Sequence, residues 1–502
     1  MSAAPPALPH APADPFRRWG RERPTHVALR DRGRQRHWTY AQLDAEADRW
    51  AAWLDDVGVA AGDRVAVLAG NRVEHVLLLI ACLRRRAALV PLNWRLAAPE
   101  LRAVLADAQP RVVIGETRFH ESVGADVPWH DLDATELPAL DARATPEAVL
   151  AWDDIGMVLY TSGSTGRPKG AMLPIRQLIV NAIATAEAWR LEAADIGPIT
   201  TPFFHTGGWN VFGWPLWWIG GTVVLIDGFD PATWLAMLAE EQCTVAFAVP
   251  TQLAMVAEAE DFGRPVPTLR WCIAGGAPLP MALQTRLRAA GYTLREGFGM
   301  TEFGPNCFAV TSARDVTPPG WVGWPVPFAE MRLVDEHGRD VPDGTPGELW
   351  LRGPQRFSGY LFDPERTADA LTADGWYRSG DVLVREADAS YRVCGRRKEM
   401  FISGGENVYP GEVEAALVEH PAVAEAVVVA MPDALWGEVG CAFVVARAGA
   451  SLDASGMVRH ARTRLAGYKV PKRVEVVREL PRLGSGKVDR AALRASLAAA
   501  TS

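Results

Sequence analysis

The sequence predicts an α/β protein: a large N-terminal domain of two doubly wound sheets plus a small β unit, then a small α+β C-terminal domain. Three observations predict it. Apolar strand-length runs alternate with amphipathic helical stretches over residues 38–115, and again over 220–275. From about 318 to 395, short strands are cut by Gly, Pro and Asp turns. After Arg396, helices and strands alternate for about 100 residues, enough for an independent unit. The expected division is a flexible tail 1–14, a domain 15–396 and a domain 397–502.

Residues 1–16 lack a basic start, and prolines break their apolar stretch, so they read as a tail and not a signal peptide. Residues 38–58 read as an amphipathic helix, 64–70 as a buried strand, 75–86 as a helix and 88–93 as a strand. Residues 99–109 are again helical and 111–115 extended. The pattern returns with a strand at 220–226, a helix at 231–242, a strand at 244–250, a helix after Pro250 and a strand at 269–276. Short strands at 331–335, 347–353 and 391–395 make the β unit. The last domain carries helices at 411–420 and 456–466, with strands at 423–431, 441–448 and 472–480. Residues 196–226 contain no charged side chain but hold Trp209, Trp214, Trp217 and Trp218. Pro198, Pro202 and Pro215 interrupt them, so a buried helix feeding a strand is expected over a membrane span, with a peripheral lipid contact left open.

Composition narrows the function. Net charge is −8, so no global basic field exists to hold a nucleic-acid backbone. The six cysteines form no CxxC pair, which argues against a zinc ribbon or disulfide framework and makes the cytoplasm the expected compartment. Lys and Arg total 52, yet only Lys169, Lys398, Lys469, Lys472 and Lys487 are lysines. Where arginine is the default cation, each lysine is a candidate for a site that needs a compact point charge.

The strongest local signal is Tyr160-Thr-Ser-Gly-Ser-Thr-Gly-Arg-Pro-Lys-Gly170, which follows an apolar strand. Glycines let backbone N–H groups approach an anion, hydroxyls donate to its oxygens, and Lys169 adds a charge. The pattern suits a polyphosphate and is neither a Walker loop nor a nucleophile elbow.

With the later motifs, this loop resembles the signature of the adenylate-forming enzymes: acyl-CoA synthetases, peptide-synthetase adenylation domains and firefly-type luciferases. The resemblance covers roughly 25–495, with the motifs in family order. It implies that Thr161, Ser162, Gly163, Ser164, Thr165, Gly166 and Lys169 hold the ATP phosphates. Gly275, Gly276, Ala277 and Pro278 would form the adenine wall. Around Gly297-Phe-Gly-Met-Thr-Glu302, the resemblance assigns Glu296, Gly297, Phe298, Gly299 and Thr301 to AMP, with Phe298 stacking on adenine. Glu302, with Thr161, would hold Mg²⁺. The family often has tyrosine where Phe298 stands; the stacking face remains.

By the same resemblance Asp381 accepts from the ribose hydroxyls, Arg396 touches ribose or phosphate, and Lys398 is the hinge of a mobile C-terminal domain. Lys487, otherwise a surface lysine on a glycine-rich turn, becomes the catalytic lysine. His205 in Pro202-Phe-Phe-His-Thr-Gly-Gly-Trp-Asn210 would stand near the substrate carboxylate and gate the acyl site. Trp209, Asn210 and Phe212 are candidate acyl-pocket residues, with Trp209 and Phe212 equally readable as core. Gly404, Gly405 and Glu406 would meet the pantetheine arm of coenzyme A, and Lys469 and Lys472 its nucleotide.

The implied activity is ATP-dependent ligation of an acid to CoA through an acyl-adenylate, with loading of a separate carrier protein as the alternative. No Asp lies between Ile196 and Ile226, which disfavours an amino-acid substrate. No Lys or Arg lies between 191 and 263, which disfavours a dicarboxylate unless another segment supplies the cation. An apolar monocarboxylate, medium or long fatty or aromatic, is expected. No carrier-attachment sequence follows Lys487, and the terminal Ala-Ala-Thr-Ser is no peroxisomal address. The oligomeric state stays open, a homo-oligomer included.

Overall fold

The computed structural model describes residues 14–124, 127–137, 150–161, 169–277, 279–310, 318, 320–403, 406–433, 435–483 and 487–499. Of the tail, only Asp14 falls among them. Its carboxylate caps the helix Pro15–Glu22, accepting from the backbone N–H of Phe16 and Arg17. That helix docks on the next one through Phe16, which is fully buried, and through ion pairs from Arg84 to Asp14 and Asp48 (2.9 Å each).

The first sheet has seven strands, ordered Gly359–Tyr360, Lys169–Pro174, Ile155–Thr161, Ala88–Pro91, Arg64–Leu68, Val112–Gly115 and Trp129–Asp131. From Ile155–Thr161 onward, neighbours are parallel, as alternating strands and helices require. The other edge departs from the doubly wound expectation. Ile155–Thr161 and Lys169–Pro174 form an antiparallel hairpin, with Thr161 opposite Lys169. The described residues on either side of the Gly/Ser segment, Thr161 and Lys169, are therefore held by sheet register.

The second sheet region has two parts. Arg36–Thr39, Val27–Asp31, Thr222–Leu225 and Ile196–Ile199 make four strands; Val245–Ala248, Trp271–Gly275 and Leu294–Gly297 make three parallel strands. A backbone hydrogen bond from Thr244 N–H to the Ile196 carbonyl (2.9 Å) ties the two edges. The segment 196–226 reads as expected: strand, a π-helical turn Gly207–Val211, helix Gly213–Ile219, strand. Trp209, Trp214 and Trp217 are core, with Trp209 and Trp217 fully buried, and Trp218 is half-buried against them. Among the described residues, no helix is long and apolar enough to cross a membrane.

The small β unit is a six-stranded sheet ending with Tyr391–Arg396 at its centre. The next strand, Phe401–Ser403, belongs to a separate five-stranded sheet with Glu406–Val408, Gly437–Ala446, Val423–Asp433 and Arg473–Val477. Helices Pro410–Val418, Ala454–Arg462 and Arg490–Ala499 accompany it, and it has its own buried clusters.

Candidate active site

The site gathers where the carboxyl ends of the strands meet the six-stranded sheet. Strand ends are where helical and sheet backbone stops pairing with itself, so polar loops collect there. Gly275 closes the strand Trp271–Gly275, and Gly276 turns away at φ +87°, a left-handed conformation that disfavours any residue with a Cβ. Gly299 is needed for a different reason: a Cβ there would stand 2.2 Å from the Pro305 carbonyl carbon. The turn it permits is closed by Met300 N–H donating to the Gly304 carbonyl (2.9 Å). It sets Phe298 half-buried, edge-on to Phe308 at 5.8 Å, and brings Thr301 and Glu302 into the cleft. Thr301 is fixed through its carbonyl, which accepts from the buried Gln177 side chain (2.8 Å).

Glu302 meets a residue that sequence reasoning missed. The Tyr360 hydroxyl donates to Glu302 Oε1 (2.9 Å), and the Lys169 ammonium sits over the same ring, 4.8 Å from its centroid. Tyr360 reaches this place because its two-residue strand pairs with the strand Lys169–Pro174. One phenol thus orients both the carboxylate and the cation. Burial lowers the Lys169 pKa, the charges of Arg366 and Lys398 lower it further, and Glu302 and Asp363 oppose them.

Asp381 and Arg396 face each other across neighbouring strands, joined by a 2.9 Å ion pair. The carboxylate is buried and the guanidinium largely exposed. Burial pushes the Asp381 carboxyl up to about 6 against the pull of Arg396, and Glu302 adds to the rise. The Tyr377 phenol is buried beside the same carboxylates and raised well above its usual range. Lys398 lies exposed in the turn after Arg396.

Lys487, on the C-terminal domain, enters this group. Its pKa is lowered first by surrounding protein and then by Arg396, while Glu302, Asp381 and Glu399 draw the charge back. The side chain still meets solvent, so the ammonium stands in an open cleft. It forms no hydrogen bond or ion pair among the described residues. His205 feels it too: burial, then Lys487, then Arg95 lower the imidazole to about 4, which leaves it neutral at pH 7. The structure therefore brings together Lys169, Glu302, Asp381, Arg396, Lys487 and His205 from strands and loops spread between residues 169 and 487.

Glu296 is buried and accepts from Gln284 (3.0 Å), so its carboxylate faces the helix Met281–Ala289. Trp209 is fully buried and donates its indole N–H to the Phe203 carbonyl, and Phe212 packs 5.6 Å from Trp271; both are core residues. Asn210 is buried, donates to Thr206 Oγ1 (3.1 Å) and accepts at its carbonyl from Asn181 (2.8 Å). Gly297 ends its strand, and Ala277 is exposed. Glu406 is exposed at the start of its strand, with no hydrogen bond to the cluster. Lys469 is tied to Glu412 (2.7 Å), and Lys472 sits over Trp436 (5.3 Å). Ser162, Gly163, Ser164, Thr165, Gly166, Pro278, Gly404 and Gly405 lie outside the described residues.

No group of three or more His, Cys, Asp or Glu side chains suited to a metal exists among the described residues. The lone Glu302, with Thr161 on the hairpin opposite Lys169, fits a hard cation whose remaining oxygen ligands come from phosphates.

Residues 16–361 match the family model described as AMP-binding enzyme, and 412–487 match the AMP-binding enzyme C-terminal domain. The chain belongs to the AMP-binding enzyme family. It is thereby an adenylate-forming ligase of the AMP-forming acid–thiol class. A feruloyl-CoA synthase from an Amycolatopsis species is 39% identical over 459 residues, 91% of this chain and 93% of that one. Indoleacetate–CoA ligase of Aromatoleum aromaticum is 37% identical over 93% of this chain and 94% of its own. ATP-bound MatB from Rhodopseudomonas palustris superposes with a TM-score of 0.87 at 31% identity, covering 96% and 98% of the two chains. This AMP-binding enzyme shares with that structure the large N-terminal domain and the smaller C-terminal one.

Proposed function

We propose that the chain activates an apolar monocarboxylic acid, aromatic in preference to fatty, with ATP and passes the acyl group to coenzyme A. The observation that carries this is the convergence of Lys487 with Glu302, Asp381, Arg396 and His205. In the first half-reaction a carboxylate oxygen attacks the α-phosphorus of ATP. A carbonyl–O–P bond forms, the bond to the bridging oxygen breaks, and pyrophosphate leaves. Lys487 offsets the negative charge that builds up between the two anions, a positioned-donor effect worth roughly 10²–10³ in rate. Asp381 accepts from the ribose hydroxyls, Phe298 offers a face to the adenine, and Lys169 with the hairpin loop holds the departing phosphates. Magnesium at Glu302 would neutralise phosphate charge. Neutral His205 packs beside the carboxylate without adding a competing cation.

In the second half-reaction the CoA thiol sulfur attacks the acyl carbon and AMP leaves. The C-terminal domain turns about Lys398, withdrawing Lys487 and presenting the 404–406 face. The names of the two relatives, a feruloyl and an indoleacetate ligase, support an aromatic acid. Acid-dependent ATP–pyrophosphate exchange across a panel of fatty and aromatic acids tests the first step. Thioester formation with free CoA, set against a carrier protein, tests the acceptor. No exchange with any acid would refute the reading.

A further inference from the structure

The strand Leu294–Gly297 has two faces. Leu294 and Glu296 are buried toward the helix Met281–Ala289, so Arg295 and Gly297 point the other way. On that face Arg295 stands beside Ile273 and Gly297 beside Gly275. A Cβ placed on Gly297 would meet only Ile273 within 4 Å, so the space alongside the strand is otherwise open there. The nucleotide and carboxylate residues cluster beyond the carboxyl end of this strand. A substrate running from them down this face passes Gly297 and, about 7 Å further on, reaches Arg295.

Arg295 is an odd residue to find there. Its guanidinium lies 4.5 Å from the Trp271 ring centroid and 5.8 Å from that of Trp189, two tryptophans 5.7 Å apart. Its sole hydrogen bond among the described residues is a long one, 3.4 Å to the Trp189 carbonyl. It has no carboxylate partner among them. Asp195 is taken by the neighbouring cation Arg270 (2.8 and 3.0 Å). Both tryptophans are buried, and both indole N–H groups lack an acceptor. Burial, with the charges of Arg270 and Arg190, brings the Arg295 pKa down to about 10, so the cation is under strain yet still charged at pH 7. A cation without a carboxylate partner among the described residues, beside two indole donors without acceptors and on the strand face that carries Gly297, is the complement of an oxygen ligand.

We propose that Arg295 is a specificity-determining residue, which reads an oxygen substituent, a phenolic hydroxyl or phenolate, on the end of the aromatic acid remote from its carboxylate. This rests on the aromatic-acid reading above. It also supplies the cation that the stretch 191–263 lacks, from a different strand. A site built to bond a substrate oxygen discriminates strongly against the analogue without it, because its own polar groups are then left unpaired.

The test compares 3-phenylpropenoic acid with its para-hydroxyl derivative by pyrophosphate release, in the wild type and in Arg295→Leu and Arg295→Lys. The wild type should favour the hydroxylated acid at least fivefold in kcat/KM. R295L should lower that preference at least tenfold, mainly by raising KM for the hydroxylated acid, and R295K should restore part of it. Thermal melting checks that the variants fold, and the wild-type ratio needs no variant. If the wild type does not prefer the hydroxylated acid, or R295L weakens both acids equally, Arg295 is only a cap on the helix Ile175–Trp189 and the inference falls. If the wild type exchanges with fatty acids and with neither aromatic acid, the aromatic-acid reading falls with it.

Discussion

Tyr360 offers the sharpest test of how the Glu302 carboxylate is held. Tyr360→Phe removes the hydroxyl that donates to Glu302 Oε1 at 2.9 Å and keeps the ring beneath Lys169. Tyr360→Ala removes both. A hydrogen bond to a charged group is worth about 1.5–3 kcal/mol, and a cation–π contact about 0.5–2 kcal/mol. Glu302 is half-buried, so water takes part of the hydroxyl's place and the lower end of the range applies. Y360F should therefore lower kcat/KM for MgATP about tenfold, at about 1.4 kcal/mol per decade. Y360A should lose a further threefold or more as Lys169 loses its support. Pyrophosphate release against MgATP at saturating acid measures both. Y360F within twofold of the wild type, with an unchanged melting temperature, would show that Glu302 needs no orienting partner.

Lys487→Ala should slow acyl-AMP formation by about 10²–10³ while leaving conversion of supplied acyl-AMP to thioester intact; equal loss in both steps would contradict a lysine that serves only the first. Asp381 has a carboxyl raised to about 6, so its ionised, ribose-accepting form is lost as pH falls through that value. KM for ATP should rise between pH 7 and pH 5, and Asp381→Asn should flatten that limb. The stability sign is opposite: the fold holds this proton more tightly than the unfolded chain, so ionising it costs stability as pH rises from about 4 to above 6. Gly299→Ala sets a Cβ against the backbone of Pro305 and Gly304, which cannot yield as a side chain would. It should destabilise by about 2 kcal/mol or more by urea unfolding, and a wild-type midpoint would mean the turn is looser than its geometry.

The parts of the fold that were legible follow one rule: periodicity shows when an element buries one kind of surface. The strand Arg64–Leu68 and the helix Tyr40–Asp56 meet it. The helix Ile175–Trp189 does not, because it is buried on nearly every side and carries Gln177, Asn181 and Thr185 inward to bond neighbouring backbone and side chains. The N-terminal strands Val27–Asp31 and Arg36–Thr39 escape for another reason. They are short and carry polar residues, and Val27–Asp31 joins its sheet by pairing with Thr222–Leu225, which no local window contains, while Arg36–Thr39 pairs only with Val27–Asp31 at its edge. The site was legible where glycine spacing is dictated by backbone geometry, as at Gly276 and Gly299. Tyr360 was not, since its partner Glu302 lies 58 residues away and a lone tyrosine beside a turn has no pattern. Glu296 shows the converse: it sits inside a motif, yet strand alternation turns it toward Gln284 and away from Gly297.

The electrostatics of the cleft give a physical reason for a lysine that must arrive and depart. Asp381 is held by Arg396, and Glu302 by Tyr360, so the large domain satisfies its own carboxylates. The Lys487 ammonium is left with no hydrogen bond or ion pair among the described residues, is disfavoured by the protein around it, and is repelled by Arg396. Lys169 is likewise pressed by Arg366 and Lys398. Neither ammonium makes an ion pair among the described residues, although Glu302 draws on both, and a nucleotide polyphosphate is an anion of matching chemistry. Under the proposed scheme, bound ATP draws Lys487 in. Departure of pyrophosphate removes most of that negative charge, so the attraction weakens at the moment the acyl-adenylate exists and the lysine is no longer wanted. The hinge at Lys398 then needs to store no strain. The change in substrate charge alone shifts the balance between the two orientations, because only the adenylating one gains from it.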